Sequence, residues 1–470
     1  MEEQMEKKAD SLPEEALAYK KKNIFEELDE SQRTEVMKYA EGYAAFLDRA
    51  KTEREAVAVA SELLTRAGYT PYVWGEPLAA GDKKYYVNRK KSIFAFRIGT
   101  EPIQSDGIRI LGAHIDSPRL DLKQVPLYEE DGLAYLKTHY YGGIKKFQWL
   151  TLPLALHGVV VLRDGSEVAV CIGERPEDPV FYITDILPHL GQEQSAKPLG
   201  TAIPGETLNL LVGGVPLAGE GGTVKLNVLR LLHECYGIEE EDFLSAELSA
   251  VPALRARDIG LDRSFIGAYG HDDRVCAYPA LTALLDTPDT AHTLMTVLVD
   301  KEETGSDGNT GMQCRVFEDL ITEIALAFGA NPRLVRASSM CLSADVNAAY
   351  DPNYASVFEK RNSALISCGT VMSKYTGSRG KSGTSDASAE FVGRVRRIFA
   401  EDSVIWQSAE LGRIDMGGGG TIAKFVAKLN IDTVDIGVPV LSMHAPYEVI
   451  SKADLYMTYK GFLAFCRSNA

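Results

Sequence analysis

The fold is decided by the stretch LMTVLVDKEETGSDGN, residues 294–309, in which an apolar run ends in a pair of carboxylates. Residues 294–299 are apolar and partly β-branched, which is typical of a buried strand, and residues 304–309 have the composition of a loop. Glu302 and Glu303 therefore follow a strand end. Adjacent carboxylates repel each other unless a cation lies between them or one takes up a proton. Metal-assisted hydrolysis of an amide needs such a pair, one carboxylate on the metal and the other moving protons.

Composition disfavours several classes of partner and of cellular location. The 470 residues suffice for two or three domains, and the net charge of −16 disfavours nucleic acid or an anionic membrane as a partner. The seven cysteines are odd in number and scattered, which favours free thiols in a reducing compartment. The charged N-terminus has no apolar signal region, and no stretch approaches the roughly 18 apolar residues of a membrane span. We therefore expect a cytoplasmic protein.

The α/β pattern of the chain is interrupted once. Residues 1–121 combine amphipathic helices with short strands, and α/β patterning resumes at about residue 259. The intervening residues 122–258 show short strands and turns, as at 128–141, then a middle rich in glycine and proline, and then a helical pattern at 224–236. We therefore predict a catalytic domain in two parts, 1–121 and 259–470, with a smaller domain of residues 122–258 inserted between them.

Five segments place metal-type ligands at the ends of strand-like runs. In an extended chain residues i and i+2 share a face, so His114 and Asp116 point the same way, as a metal-bound imidazole and its orienting carboxylate do. The other four segments contain Asp272-Asp273, Glu302-Glu303, Asp345 and His444. Two histidines with three or four carboxylates suit zinc, and a bridging carboxylate would make the site dinuclear. A serine triad finds no Gly-x-Ser-x-Gly elbow, and no cysteine has a convincing histidine partner in sequence.

Four motifs carry a resemblance to a known family. They are HIDSPRL at 114–120, DKEETGS at 300–306, SAD at 343–345 followed by DPNY at 351–354, and MH at 443–444 with Glu448. Together with the Asp272 segment they resemble, in order and spacing, the aspartyl aminopeptidase family of dinuclear zinc exopeptidases. The resemblance covers nearly the full length after the first 20 or so residues.

The resemblance implies a fold and an assembly. The expected fold is a zinc-exopeptidase-like α/β catalytic domain, with a mixed sheet flanked by helices, interrupted by a smaller, mainly β dimerisation domain. The expected assembly is a homo-oligomer, a tetrahedral dodecamer whose active sites face an internal chamber.

The resemblance also implies roles for individual residues. His114 and Asp345 would bind one zinc, and Glu303 and His444 the other. Asp272 would bridge the two ions. Cobalt or manganese could substitute for zinc. Further roles fall to Asp116, which would orient His114, and to Glu302, the general base and acid.

Substrate recognition involves other positions. Lys374 matches a family lysine in the pocket for an acidic side chain, with Arg379 and Lys381 as nearby alternatives. His189 resembles a histidine that the neighbouring subunit contributes. The chain departs from the family at Asp273, where asparagine is usual, and around residues 140–149, where a Trp-rich segment is replaced.

These observations predict a metalloaminopeptidase that removes N-terminal residues from peptides, preferentially Asp and Glu. One alternative is an aminopeptidase of the same fold with neutral or broad specificity. A second alternative is a non-catalytic shell or cargo-binding protein of the same fold. Intact Glu302 and the full ligand set argue against the second, because a binding module needs no base.

Overall fold

The computed structural model describes residues 17–288 and 291–469. The strands of these residues, in chain order, are β1 (Thr70–Pro71), β2 (Lys83–Asn88), β3 (Ser92–Arg97), β4 (Ile108–His114), β5 (Arg119–Glu130), β6 (Leu133–Tyr141), β7 (Leu154–Val161), β8 (Glu167–Ile172), β9 (Leu210–Gly213), β10 (Ala246–Pro252), β11 (Arg257–Ile259), β12 (Phe265–Ala268), β13 (Thr293–Val299), β14 (Met340–Ala344), β15 (Asn347–Ala348), β16 (Thr370–Ser373), β17 (Gly377–Ser378), β18 (Trp406–Ser408), β19 (Gly418–Gly419), β20 (Asp432–Gly437), β21 (Pro439–Leu441) and β22 (Glu448–Ser451).

The α-helices of the described residues, in chain order, are α1 (Ile24–Glu27), α2 (Glu30–Arg49), α3 (Glu53–Arg66), α4 (Ile103–Asp106), α5 (Gln192–Ser195), α6 (Leu199–Ala202), α7 (Val224–Tyr236), α8 (His271–Asp286), α9 (Val316–Ala327), α10 (Pro332–Ser338), α11 (Ala389–Glu401), α12 (Ala423–Ala427) and α13 (Lys452–Arg467). None of them is long and apolar enough to cross a bilayer.

The largest sheet has nine strands in the order β1-β2-β3-β13-β4-β14-β20-β16-β18. Its centre, from β13 through β4 and β14 to β20, is parallel, whereas β3 and β16 join it antiparallel. Successive side chains of a strand point to opposite faces. Accordingly Leu294 and Leu298 of β13 pack into one apolar core and Met295 and Val297 into another. The sheet is thus covered by helices on both faces, and the predicted mixed sheet flanked by helices is confirmed.

Helices cover each face for identifiable reasons. On one face lie α2 and α3, each started by a capping box, around Asp29 and Thr52 respectively. The same core holds most of α8, whose residues are nearly all buried between the sheet and α13. The other face is covered by α9, which places Phe317, Leu320 and Ile324 in the second core at helical spacing.

A second sheet has six strands in the order β8-β7-β10-β5-β6-β9 and a core of its own. All of its strands lie between Arg119 and Pro252, so the chain leaves the nine-stranded sheet after β4 and returns to it at β13. The division into 1–121, 122–258 and 259–470 stays a prediction.

A third, five-stranded sheet has the order β11-β12-β22-β21-β15, and it carries two of the chain segments that form the site.

Candidate metal centre and active site

Three of the predicted segments converge because three parallel strands end at one edge of the nine-stranded sheet. β4 ends at His114, β13 ends just before Asp300, and β14 ends just before Asp345. Carboxyl ends of parallel strands meet at the same edge, where α/β proteins generally place their ligands. Side chains more than 200 residues apart in sequence therefore lie close together.

The other two segments come from the five-stranded sheet. β12 leads into α8, which begins with His271-Asp272, and β22 follows His444 directly after a short turn. The two strands pair antiparallel, with Ala268 opposite Glu448. Glu448 ties the segments together because its carboxylate accepts the backbone N–H of Asp272 at 3.1 Å and that of His444 at 2.7 Å. The peptide bond joining Asp272 to Asp273 is cis.

Asp272 lies between the two histidines. Its Oδ1 is 3.1 Å from His114 Nε2 and its Oδ2 is 3.2 Å from His444 Nε2. Asp345 Oδ1 is 3.8 Å from His114 Nε2, and Glu303 Oε2 is 3.6 Å from His444 Nε2. The structure thus brings together all five residues that the sequence predicts as ligands, with Asp345 on the His114 side and Glu303 on the His444 side.

Both histidines present the same nitrogen to the cluster. His114 Nδ1 lies 3.1 Å from the backbone oxygen of Asp116, and His444 Nδ1 lies 2.8 Å from the backbone oxygen of Gly143. A carbonyl oxygen only accepts, so each Nδ1 donates its proton. Each Nε2 is then free to bind a metal, which is the usual arrangement of a ligating histidine.

The donor set fits a divalent cation. Ligand atoms of His114, Asp272 and Glu303 lie within 4.8 Å of one another, and so do those of His114, Asp273 and Asp345. Within the described residues, Glu303 Oε1 and both carboxylate oxygens of Asp273 are buried without a hydrogen-bond donor. Buried oxygens of this kind are costly unless a proton or an ion satisfies them. A mixed set of imidazole and carboxylate ligands suits zinc.

The electrostatics of the cluster agree with that fit. Burial, reinforced by Asp272, raises the pKa of Glu303 well above its ordinary value, and burial with Glu302 does the same for Asp345. Burial disfavours the charged form of His444, but hydrogen bonding and charge from Asp272 outweigh it and raise its pKa to about 10. Carboxylates therefore dominate this site, and a bound cation would relieve their repulsion.

Asp116 holds the site in position. It is fully buried, and its side chain accepts the backbone N–H of Glu302 at 3.1 Å and of Glu303 at 3.2 Å. Its Oδ1 also lies 3.3 Å from His114 Nδ1. Burial opposes ionisation of Asp116, but hydrogen bonding and charge from His114 prevail and lower its pKa. One ionised carboxylate thus orients both the imidazole and the loop that carries the glutamate pair.

Glu302 lies in the wall of a cavity of about 510 Å³, which also exposes Asp272, Glu303, Asp345 and His444. Burial is the largest influence on Glu302 and raises the pKa of its carboxyl to about 6. A carboxyl with a pKa near neutrality can both take up and release a proton at physiological pH. Asp300, the first carboxylate of the same motif, is buried and is not part of the cavity wall. Its side chain accepts a hydrogen bond from the Thr310 hydroxyl at 2.7 Å.

The predicted substrate-binding lysine lies outside this cavity. Lys374 Nζ is 3.3 Å from Asp386, and its side chain is about half exposed. The cations in the cavity wall are Arg379, Lys381, Arg413 and Lys424. Arg379 and Lys381 were the sequence-based alternatives to Lys374, whereas Arg413 and Lys424 were missed because nothing local distinguishes a pocket lysine from a solvated one.

His189 lies in an exposed turn of the segment between β8 and α5 and does not contribute to the cavity of its own chain. Its predicted role concerns a neighbouring subunit, so that role stays a prediction. Sequence reasoning also missed Tyr141 and Gly143. The hydroxyl of Tyr141 contacts Asp116, and the backbone carbonyl of Gly143 contacts His444.

Comparisons with known proteins place the chain as a whole in a family. A profile of the family described as aminopeptidase I zinc metalloprotease (M18) matches residues 46–466. A Clostridium acetobutylicum protein named probable M18 family aminopeptidase 1 is 50% identical over 454 residues, which cover 94% of this chain and 97% of that protein.

Solved structures of similar proteins share the fold. The crystal structure of an M18 aminopeptidase from Thermotoga maritima superposes with a TM-score of 0.91 at 44% identity, covering 96% of this chain and all (100%) of that one. An S. cerevisiae mApe1 dodecamer has a TM-score of 0.75 at 21% identity, covering 91% of this chain and 96% of that one, and shares the fold. The chain therefore belongs to the M18 family of aminopeptidase I zinc metalloproteases and is a hydrolase of the exopeptidase class.

Proposed function

We propose that the chain is a dinuclear zinc aminopeptidase. The observation that carries the proposal is the position of Asp272, whose two oxygens each lie next to the Nε2 of a different histidine. This is the placement expected of a carboxylate that bridges two metals. His114 and Asp345 would hold one ion, and His444 and Glu303 the other. Two histidines and three carboxylates exceed what one tetrahedral ion needs.

Zinc bound there would supply Lewis acidity toward a peptide carbonyl and would lower the pKa of water. The chain's own contribution is proton transfer by Glu302. Glu302 takes a proton from the attacking water and returns it to the departing amine, which its pKa of about 6 allows. Asp116 keeps the Glu302 backbone in place through its 3.1 Å hydrogen bond.

The experiment that tests the base is the pair Glu302→Gln and Glu303→Gln. Glu302→Gln should keep the metals and lose turnover, since its carboxylate moves protons. Glu303→Gln should instead weaken metal binding, because its Oε2 faces His444. If Glu302→Gln released metal while Glu303→Gln retained it, the roles of the two carboxylates would be reversed.

An acidic N-terminal residue is the substrate preference that the cavity favours. Four cations line it, and they differ in how far they are already paired. Lys381 lies 3.3 Å from Asp386, and Arg413 donates to the Ser356 backbone oxygen at 2.9 Å. Neither Arg379 nor Lys424 has a carboxylate within 4.0 Å among the described residues, and of these two Arg379 is exposed whereas Lys424 is partly buried. We propose that Lys424 receives the acidic side chain of the substrate.

The position of Lys424 supports that role. Its side chain is only partly exposed, and its Nζ lies over Gly420, where an added Cβ would approach to 3.2 Å. The glycine therefore leaves room for the ammonium group against the cavity wall. Apolar wall residues such as Leu411, Ile414 and Met443 favour the alternative of neutral or broad specificity. Hydrolysis of N-terminal Asp, Glu, Leu and Ala substrates, compared side by side, separates the two.

We further propose a homo-oligomer, with the dodecamer of the yeast relative as the expected form. The segment that carries His189 supports an interface, because large apolar side chains are exposed along it: Val180, Ile186, Leu187, Leu190 and Leu199. A monomeric soluble protein rarely exposes so many in one segment. Sedimentation at micromolar concentration should show a closed assembly, and a fully active monomer would contradict both the assembly and the proposed role of His189.

A further inference from the structure

We infer that the segment Tyr141–Gly143, which begins at the last residue of β6 in the six-stranded sheet, positions both of the proposed metal-binding histidines. This inference rests on the proposed metal site. The six-stranded sheet supplies none of the five proposed ligands. It nevertheless reaches the site through this segment: Tyr141 contacts Asp116, Gly143 contacts His444, and Gly142 between them faces Glu303.

On the His114 side the contact is made by Tyr141. Its hydroxyl donates to Asp116 Oδ2 at 2.8 Å, and the other oxygen of Asp116 lies 3.3 Å from His114 Nδ1. The ring of Tyr141 is itself held, because the Arg119 guanidinium lies 4.0 Å from its centre. Partners of this kind fix the orientation of a ligating imidazole, and their loss typically costs about 10–100-fold in metal affinity. Tyr141 is therefore a positioning residue that acts through Asp116.

On the His444 side the contact is made by the backbone of Gly143. Its carbonyl accepts His444 Nδ1–H at 2.8 Å. This bond matters more than its counterpart at His114, because 36% of the His444 side chain is exposed whereas His114 is 1% exposed. His114 is held by Asp116 and by the packing around it. His444 is more exposed, so it depends more on the carbonyl of Gly143 for its tautomer and its ring orientation.

The glycines allow this close approach. Gly142 has a φ of +73°, and a Cβ there would lie 3.3 Å from Glu303 Cβ and Oε2. A Cβ on Gly143 would lie 3.3 Å from His444 Nδ1. Both distances are tighter than ordinary contact, so a side chain at either position would require a proposed ligand to shift by a few tenths of an ångström. Glycine at both positions therefore leaves room for the close approach of the segment to Glu303 and His444.

The consequence is a link between the six-stranded sheet and metal affinity. Tyr141 is paired with Arg119 in the β5–β6 ladder, so the position of the segment follows that of the sheet. A variant that loosens the segment should release metal even though every ligand is intact.

The experiment uses the zinc-loaded full chain with the variants Tyr141→Phe and Gly143→Ala, and Tyr140→Phe as the matched control. Tyr140 is the neighbouring residue of the same strand and is 43% exposed. For each protein, zinc per chain, the rate of zinc loss to a chelator, melting temperatures with and without zinc, and kcat and KM are measured. Tyr141→Phe and Gly143→Ala should lose zinc about 10–100-fold more readily than the wild type, and kcat should fall more than KM changes. Tyr140→Phe should match the wild type.

If the residues had a merely structural role, the variants would melt at a lower temperature by the same amount with and without zinc. If they position the histidines, zinc should raise the melting temperature of the variants by less than it raises that of the wild type. Wild-type zinc retention by both variants would overturn the inference, and so would equal loss in Tyr140→Phe. If Tyr141→Phe does not fold, the result for Gly143→Ala tests the inference alone. That variant should fold, because the added Cβ would meet only two atoms of the His444 ring. A wild-type protein without bound zinc would refute the proposed function itself, which is a different result.

Discussion

Replacement of Lys424 by methionine should convert an acid-preferring enzyme into a less selective one. Methionine keeps most of the side-chain length and apolar contact and removes the charge. A hydrogen bond to a charged group contributes about 1.5–3 kcal/mol. At about 1.4 kcal/mol for each factor of ten, kcat/KM for N-terminal Asp and Glu substrates should fall roughly 10–150-fold. The upper part of this range requires good exclusion of water, and Lys424 is only partly exposed.

The assay compares kcat/KM for chromogenic Asp, Glu, Leu and Ala substrates in Lys424→Met and two control variants. Lys374→Met removes the lysine that the family resemblance favours, which here is paired with Asp386. Lys428→Met removes an exposed lysine close to the same short helix, outside the cavity wall. Only Lys424→Met should lose activity on acidic substrates, while its activity on Leu and Ala substrates changes little.

Two results would refute this reasoning. An equal loss on all four substrates would mean that Lys424 supports the site without reading the side chain. A selective loss in Lys374→Met, with Lys424→Met unchanged, would return the role to Lys374 and imply that the loop carrying it rearranges when substrate binds.

Two further predictions concern catalysis and stability. Glu302→Gln should lower kcat by at least about 100-fold while its zinc content stays unchanged, because a general base is lost. Glu303→Gln should instead lose zinc. Both outcomes are checked by measuring the turnover rate and, by elemental analysis, the zinc content of each variant. His157 lies between Glu55 and Glu174 at 2.7 and 3.0 Å. Burial opposes its charge, but hydrogen bonds to neighbouring groups, including both glutamates, raise its pKa to about 11. Its contribution to the free energy of unfolding is therefore complete below about pH 6.5 and is lost as pH rises through 11. Chemical denaturation between pH 7 and 11 should show a decline that His157→Gln flattens, and parallel curves for the two proteins would contradict this.

Much of the fold could be predicted where a local pattern coincides with the structure. The apolar run before Asp300 is β13, and the predicted helix at Val224–Tyr236 is α7, which Gly237 ends in a left-handed conformation. The strand-like region 128–141 holds the end of β5 and all of β6, joined at Asp131-Gly132, and this Asp-Gly pair is itself a hairpin signal that could have located the turn.

The convergence of the ligands could also be predicted, because strand ends carry them. The contacts around them could not. The hydroxyl of Tyr141 meets Asp116 only because two different sheets meet there, and the carbonyl of Gly143 reaches His444 across 301 residues of sequence. A backbone carbonyl has no signature in sequence. Lys424 differs from Lys374 only in its surroundings, which depend on the loops that line the cavity.

The central claim, a site in which Asp272 bridges two zinc ions, is tested most directly by elemental analysis during titration. Zinc is added in steps to metal-free protein, and bound zinc per chain and aminopeptidase activity are measured at each step, with Asp272→Asn beside the wild type. The account predicts that activity saturates at two zinc ions per chain and that Asp272→Asn binds both ions more weakly, since Asp272 faces both histidines. Full activity at one zinc per chain, or wild-type binding of both ions by Asp272→Asn, would contradict it.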